Sequence, residues 1–224
     1  MIAKWLFQSL AWLVALALLL FVPAGTLHWP AAWLFLSFML ASALLFGGWL
    51  ARNDPALLAE RMRSPIRPDQ PAADKGLLLI FLLVNVIWFI VMGLDERLHA
   101  SRMPLALQAL GLLILILSSA LIMWVFRENT FAAAVVRVQA ERGHHVISSG
   151  PYAFVRHPMY SGAVLFMAGI SLLLGSWWGM AISPIFAVFF GVRSRIEERT
   201  LTAGLPDYAD YAARVRYRLV PGLW

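Results

Sequence analysis

Ser161-Gly-Ala-Val-Leu-Phe-Met-Ala-Gly-Ile-Ser-Leu-Leu-Leu-Gly-Ser-Trp-Trp-Gly-Met-Ala-Ile-Ser-Pro-Ile-Phe-Ala-Val-Phe-Phe-Gly-Val192 is an apolar run of 32 residues. It is too long for one untilted bilayer crossing, which takes roughly 20 residues. Its middle, Gly175-Ser176-Trp177-Trp178-Gly179, has the composition of a turn flanked by interfacial aromatics. The run therefore predicts a helical hairpin with slightly short arms over 161–192, and the alternative is one long tilted helix. The choice fixes the topology. A hairpin returns the polar regions on either side of it to the same face of the membrane, whereas a single helix separates them.

Four further apolar segments lie upstream, at about 5–22, 31–50, 77–94 and 104–126, each long enough to span. With the hairpin they make six crossings. Lys and Arg concentrate on the cytoplasmic side of membrane proteins. Six crossings with the N-terminus inside leave only Arg97 and Arg102 of the 18 basic residues outside. The expectation is thus an all-α, multi-pass inner-membrane protein of about six transmembrane helices, with both termini cytoplasmic. It is read as one membrane domain, 1–224, with four spans in 1–126 and a chemistry-bearing region in 127–224.

Composition agrees: 61% of residues are apolar and 13% charged, far from soluble averages. Lys4 before the apolar run Trp5–Val22 has the look of a signal peptide, but membrane character along the rest of the chain favours an uncleaved first span. The absence of cysteine excludes disulfides, thiolate metal sites and a cysteine nucleophile. The net charge of +6 is dispersed through loops, with no basic stripe of the kind that binds nucleic acid. His144, His145 and His157 lack metal-site spacing with a carboxylate, so no metal is expected. The segment 53–74, rich in proline, reads as a cytoplasmic loop with a short helix near Pro55–Met62 and carries no catalytic assignment. Asn85, inside the third span, is expected to bond between helices, and Ser118-Ser119 and Gly47-Gly48 to mark close helix packing.

Two polar stretches bracket the hairpin and are brought together by it. One runs from Val136 to Tyr160. The other is Arg193-Ser-Arg-Ile-Glu-Glu-Arg-Thr-Leu201, followed by Tyr208 and Tyr211. In the first, Pro158 restricts His157 and starts a helix whose free N–H groups suit an anion, with Arg156 and Tyr160 close by. In the second, Arg193 and Glu197 share a helix face and Glu198 lies beside them. Adjacent carboxylates there suit a ribose diol, a cationic cofactor or a proton, although a solvated ion-pair face has the same spacing.

The series His144-His-Val-Ile-Ser-Ser-Gly-Pro-Tyr152, Val155-Arg-His-Pro-Met-Tyr-Ser-Gly162, apolar hairpin, Glu197-Glu198, Tyr208-Ala-Asp-Tyr211 and Val215-Arg-Tyr-Arg-Leu-Val-Pro221 resembles the isoprenylcysteine carboxyl methyltransferase and phospholipid methyltransferase superfamily. The resemblance covers about the last hundred residues. It implies an integral membrane methyltransferase that uses S-adenosylmethionine in a cytoplasmic helical site and takes a lipophilic small-molecule or lipidated acceptor from the bilayer. Carried over by position, cofactor contacts fall on Gln139, His144, His145, Val146, Ile147, Tyr152, His157, Pro158, Met159, Tyr160 and Glu197. The acceptor-orienting arginine falls on Arg193, with Arg195 two residues on. Glu198 or a tyrosine is the candidate base if the acceptor is an amine.

The C-terminal pattern also resembles sterol-reductase-like membrane enzymes that use NADPH. Against that reading, the chain is short and its His144–Gly150 segment fits the methyltransferases better. A non-enzymatic lipid-binding protein or a transporter is the third reading; midplane charges and repeated halves, which transport would favour, are sparse.

Overall fold

The computed structural model describes residues 1–68 and 70–224, and among these residues all regular structure is helical. The helices are α1 (Ile2–Ala24), α2 (Pro30–Asn53), α3 (Pro55–Arg61), α4 (Ala72–Leu98), α5 (Leu105–Glu128), α6 (Pro158–Leu173), α7 (Trp177–Ile182), α8 (Pro184–Gly204) and α9 (Tyr208–Arg214). Starts and stops follow local chemistry. Proline occupies the first turn of α2, α3, α6 and α8, where a missing N–H costs nothing. Gly25, with φ 67°, closes α1 in the left-handed conformation.

Among the described residues, five helical stretches are long and apolar enough to cross a membrane: α1, α2, α4, α5, and the run Trp177–Gly204 formed by α7 and α8. Their outward faces carry Phe7, Leu45 and Val188, all about two-thirds or more exposed. Such faces are what a lipid solvent requires and water would penalise. The chain is an all-α, multi-pass integral membrane protein. The expectation of two slightly short hairpin arms holds for one of them: α6 has 16 residues, about 24 Å of helix, whereas the other arm lies within the 28-residue run Trp177–Gly204.

The hairpin turn is tighter than the sequence suggests. Gly175, with φ 75°, makes the reversal, and the Ser176 hydroxyl accepts from the Gly179 N–H. That cap pulls Trp177–Gly179 into the first turn of α7 instead of leaving them in the loop.

Small residues set the helix spacing. A Cβ at Gly111 of α5 would lie 2.4 Å from the Leu173 nitrogen, and one at Gly169 of α6 would lie 3.1 Å from the Gly111 oxygen. These two helices therefore touch backbone to backbone, the arrangement that favours small residues in lipid. Ser118 is buried in the same seam, beside Gly162. Gly47 receives the Trp5 ring, but Gly48 faces open space, so only the first of that pair is a packing position. Asn85 donates to the Phe81 carbonyl of its own helix at 2.8 Å; with a backbone acceptor one turn away, it does not need a partner on another helix.

Polar side chains gather at the two ends of the bundle. At one end, Asp95 of α4 accepts from Ser101 and from Ser176 of the hairpin turn. At the other lie Asp74, Arg193, Glu60, Arg137, Arg156, Glu197 and Glu198. The segments 129–157 and 205–224 fold over this second end.

Candidate active site

The N-terminus of α6 and the last turns of α8 form the floor of the site. The main-chain N–H groups of Arg156 and His157 donate to the Tyr217 and Arg218 carbonyls, both at 2.9 Å. This latches the C-terminal tail beside α6. Arg156 strengthens the latch, donating through Nε to Glu198 at 2.7 Å and through Nη1 to the Val215 carbonyl at 2.7 Å. Arg218 donates to the other Glu198 oxygen at 2.9 Å.

His157 sits between the two carboxylates of α8. Its Nδ1 is 3.3 Å from Glu197 Oε2 and its Nε2 is 3.3 Å from Glu198 Oε1. Both ring nitrogens face acceptors, so the geometry fits the imidazolium, in which both are donors. Burial opposes the charge, but hydrogen bonding and attraction from Glu197 and Glu198 outweigh it and raise the pKa above the ordinary histidine value. The ring stacks on Tyr160 with centroids 5.4 Å apart and planes 4° apart.

Above this floor lies a cavity with an empty volume of about 740 Å³, counting its open mouth. His144, His145, Val146, Ile147, Tyr152, His157, Met159, Tyr160 and Glu197 all line it. Nine positions chosen from the sequence thus converge, although they come from three separate stretches. The walls also include Asn129, Phe131, Arg137, Arg156, Leu201, Leu205, Tyr208 and Tyr211.

The remaining four chosen positions lie outside the lining. Gln139 is buried behind it, donating to the Phe131 carbonyl at 2.8 Å and accepting from Arg142 at 2.5 Å. Pro158 is buried at the start of α6. Glu198 faces away, with its oxygens taken by Arg156, His157 and Arg218. Arg193 is held by Asp74 at 2.8 Å and by the Ala134 carbonyl at 2.6 Å, with its guanidinium 5.6 Å from the Tyr160 ring centre. Arg195 instead stacks on Trp224, so Arg193 is the inward-facing arginine of the two.

The segment 53–74, read from the sequence as a loop with a short helix and no catalytic role, supports the site. Asp74, fully buried, accepts from Arg193, from Gln70 at 2.5 Å and from the Val136 N–H at 3.2 Å. Glu60 binds Arg137 at 3.2 Å. Arg61 donates to the Ala132 carbonyl at 2.8 Å and lies 4.6 Å from the Phe126 ring centre. These contacts fasten the loop 131–137, one wall of the cavity. An acidic residue at the head of an apolar span was the one available signal, because a charge there needs a partner.

Tyrosine hydroxyls order the far wall. Tyr211 donates to the Tyr152 carbonyl at 2.9 Å, and the Tyr152 hydroxyl accepts from Asn129 at 2.7 Å. The Tyr208 hydroxyl is buried and has no hydrogen-bond partner among the described residues.

His144 stacks on Phe131 with centroids 4.4 Å apart. Burial is the main cause that lowers its pKa, to about 4, so the ring is neutral at physiological pH. A depressed histidine pKa adds stability that is complete above the unfolded value of about 6.5 and is lost as pH falls through the folded value. His157 has the opposite sign: its contribution is complete below about 6.5 and is lost as pH rises through its raised value. Melting temperatures measured from pH 4 to 9 should therefore show His144→Asn losing part of the acid-side decline and His157→Gln losing part of the alkaline-side decline. Parallel curves for wild type and both variants would contradict these assignments.

Residues 106–205 match the phospholipid methyltransferase family. This stretch contains α5, α6, α7 and the site-bearing turns of α8, and over it the superfamily resemblance read from the sequence is borne out. The chain is 31% identical over 83 residues to protein-S-isoprenylcysteine O-methyltransferase of Schizosaccharomyces pombe, covering 36% of this chain and 35% of that protein. It is 29% identical over 83 residues to protein-S-isoprenylcysteine O-methyltransferase B of Arabidopsis thaliana, covering 36% and 42%. It is also 30% identical over 78 residues to the cobalt-zinc-cadmium resistance protein CzcN of Cupriavidus metallidurans, covering 34% and 36%. The matches thus span well under half of each relative's length. No cluster of three or more metal-ligating side chains occurs among the described residues.

Proposed function

We propose that this protein is an S-adenosylmethionine-dependent methyltransferase acting on a lipophilic acceptor at the membrane. The carrying observation is the convergence of His144–Ile147, Tyr152, Met159, Tyr160 and the His157-bound Glu197 on one cavity at the end of an apolar helix bundle. The family match over 106–205 supports it. With both termini cytoplasmic, as the loop charges favour, that end of the bundle faces the cytoplasm.

The residues fit the cofactor's chemistry. Glu197 places negative charge beside the cavity, which suits a cationic sulfonium or ammonium group. Phe131, Tyr152, Tyr208 and Tyr211 provide flat faces for a purine. S-adenosylmethionine, when bound, supplies an electrophilic methyl group on a sulfonium. His157 holds Glu197 in place and ionised. The latched tail and the tyrosine wall exclude water, and the helix bundle admits an acceptor from lipid. Gln139, Pro158, Arg193 and Glu198 act as positioning residues: Arg193 secures the 134–136 loop through Asp74 and Ala134, and Glu198 secures the tail. Glu198 accepts from three cationic side chains and lies outside the cavity, so it is poorly placed as a base. This favours an acceptor that reacts without deprotonation, a carboxylate or an ionised thiol, over an ammonium group.

Calorimetric titration of the detergent-purified protein with S-adenosylhomocysteine, alongside NADPH, tests the proposal. Saturable binding of the first alone is expected. Binding of NADPH alone would replace the methyltransferase with a reductase, and binding of neither would remove the enzyme assignment.

A further inference from the structure

Tyr208 is 4% exposed, lines the cavity, and has a buried hydroxyl without a hydrogen-bond partner among the described residues. Its neighbours make the contrast plain. Tyr211, one turn along α9, spends its hydroxyl on the Tyr152 carbonyl, and Tyr152 receives Asn129. A buried hydroxyl left without a hydrogen bond carries a desolvation cost that a phenylalanine of the same shape avoids. The fold gains nothing from that oxygen in the ligand-free state. Tyr208 packs in one apolar cluster with Tyr152, Leu201, Leu205 and Tyr211, and Glu197, His157 and Arg137 give the same cavity a charged wall. A flat heteroaromatic group with edge donors and acceptors suits the Tyr208 wall, and an amino-acid zwitterion suits the charged one.

We infer that the Tyr208 hydroxyl is a hydrogen-bonding contact for the nucleoside half of the ligand, held in the absence of ligand at a cost to stability. The inference rests on the methyltransferase reading and gives a hydrogen-bonding role to a tyrosine of α9 for which the resemblance supplied no cofactor contact.

The test compares Tyr208→Phe and Tyr211→Phe with wild type in detergent, by calorimetric titration and by thermal unfolding without ligand. The titrants are S-adenosylhomocysteine and 5′-methylthioadenosine, which keeps the nucleoside and lacks the amino acid. Tyr208→Phe should bind both about tenfold more weakly, the effect of one hydrogen bond worth about 1.4 kcal/mol. Its melting temperature without ligand should equal or exceed that of wild type. Tyr211→Phe, which removes an internal hydrogen bond, should melt lower. Unchanged affinity in Tyr208→Phe would overturn the inference, as would a melting temperature lowered as far as in Tyr211→Phe. Weakened binding of S-adenosylhomocysteine with unchanged binding of methylthioadenosine would overturn the nucleoside assignment. Failure of wild type to bind either compound would instead overturn the methyltransferase reading.

Discussion

Asp74→Ala should destabilise the protein by about 3–5 kcal/mol, the usual cost of stranding one member of a buried ion pair. Asp74 is fully buried and Arg193 nearly so, with Nε and Oδ1 2.8 Å apart. The substitution leaves the guanidinium without its carboxylate and removes the acceptor for Gln70 and for the Val136 N–H. Because Val136 belongs to the loop that walls the cavity, ligand affinity should fall along with stability. The double variant Asp74→Leu with Arg193→Met removes both charges and should recover much of the lost stability without recovering affinity. Unfolding in detergent, followed by helical signal and by the S-adenosylhomocysteine-dependent shift, measures both quantities. A loss under about 1 kcal/mol for Asp74→Ala would mean that water reaches the pair and that it does not organise the site.

Glu197→Gln should weaken S-adenosylhomocysteine binding by about 10- to 100-fold, since hydrogen bonds to charged groups contribute about 1.5–3 kcal/mol and each 1.4 kcal/mol is tenfold. The amide keeps the size of the side chain but removes the negative charge that faces the cavity and holds His157 Nδ1. His157 retains Glu198 through Nε2, so the fold should survive and the loss should appear mainly in binding. Glu198→Gln provides the contrast. It faces the tail rather than the cavity, so it should loosen the Arg156 and Arg218 latch and lower the melting temperature while affecting affinity less. Equal affinities for wild type and Glu197→Gln would place the cofactor elsewhere.

The spans were legible because each needs only a run of apolar residues long enough to bury its backbone in lipid, a local property. The hairpin was legible for the same reason, from Gly175 and the Ser-Trp-Trp that follows. The exact turn was not: the Ser176 cap, which draws Trp177–Gly179 into helix, depends on one hydroxyl reaching one N–H. Nine of the motif positions meet at the cavity because the hairpin returns the α8 end to the start of α6 and the segment 129–157 folds over that same end. The opposite outcomes for Glu197 and Glu198 were out of reach, since neighbouring residues on a helix differ by about 100° in direction and only the packed tail decides which faces ligand.

By itself, the sequence determined the solvent, the all-helical class and the residue types available for chemistry, because hydropathy and helix period act over short stretches; it gave about six spans, where five helical stretches among the described residues are long enough to cross. Only the tertiary structure decided the partners. Asp74 reaches Arg193 across 119 residues, Arg156 clamps a tail some 60 residues away, and the Tyr208 hydroxyl finds no hydrogen-bond partner among the described residues. Charge pairing and burial at that range depend on which helix ends meet, which is set by packing across the whole bundle, such as the glycine contacts of α5 and α6.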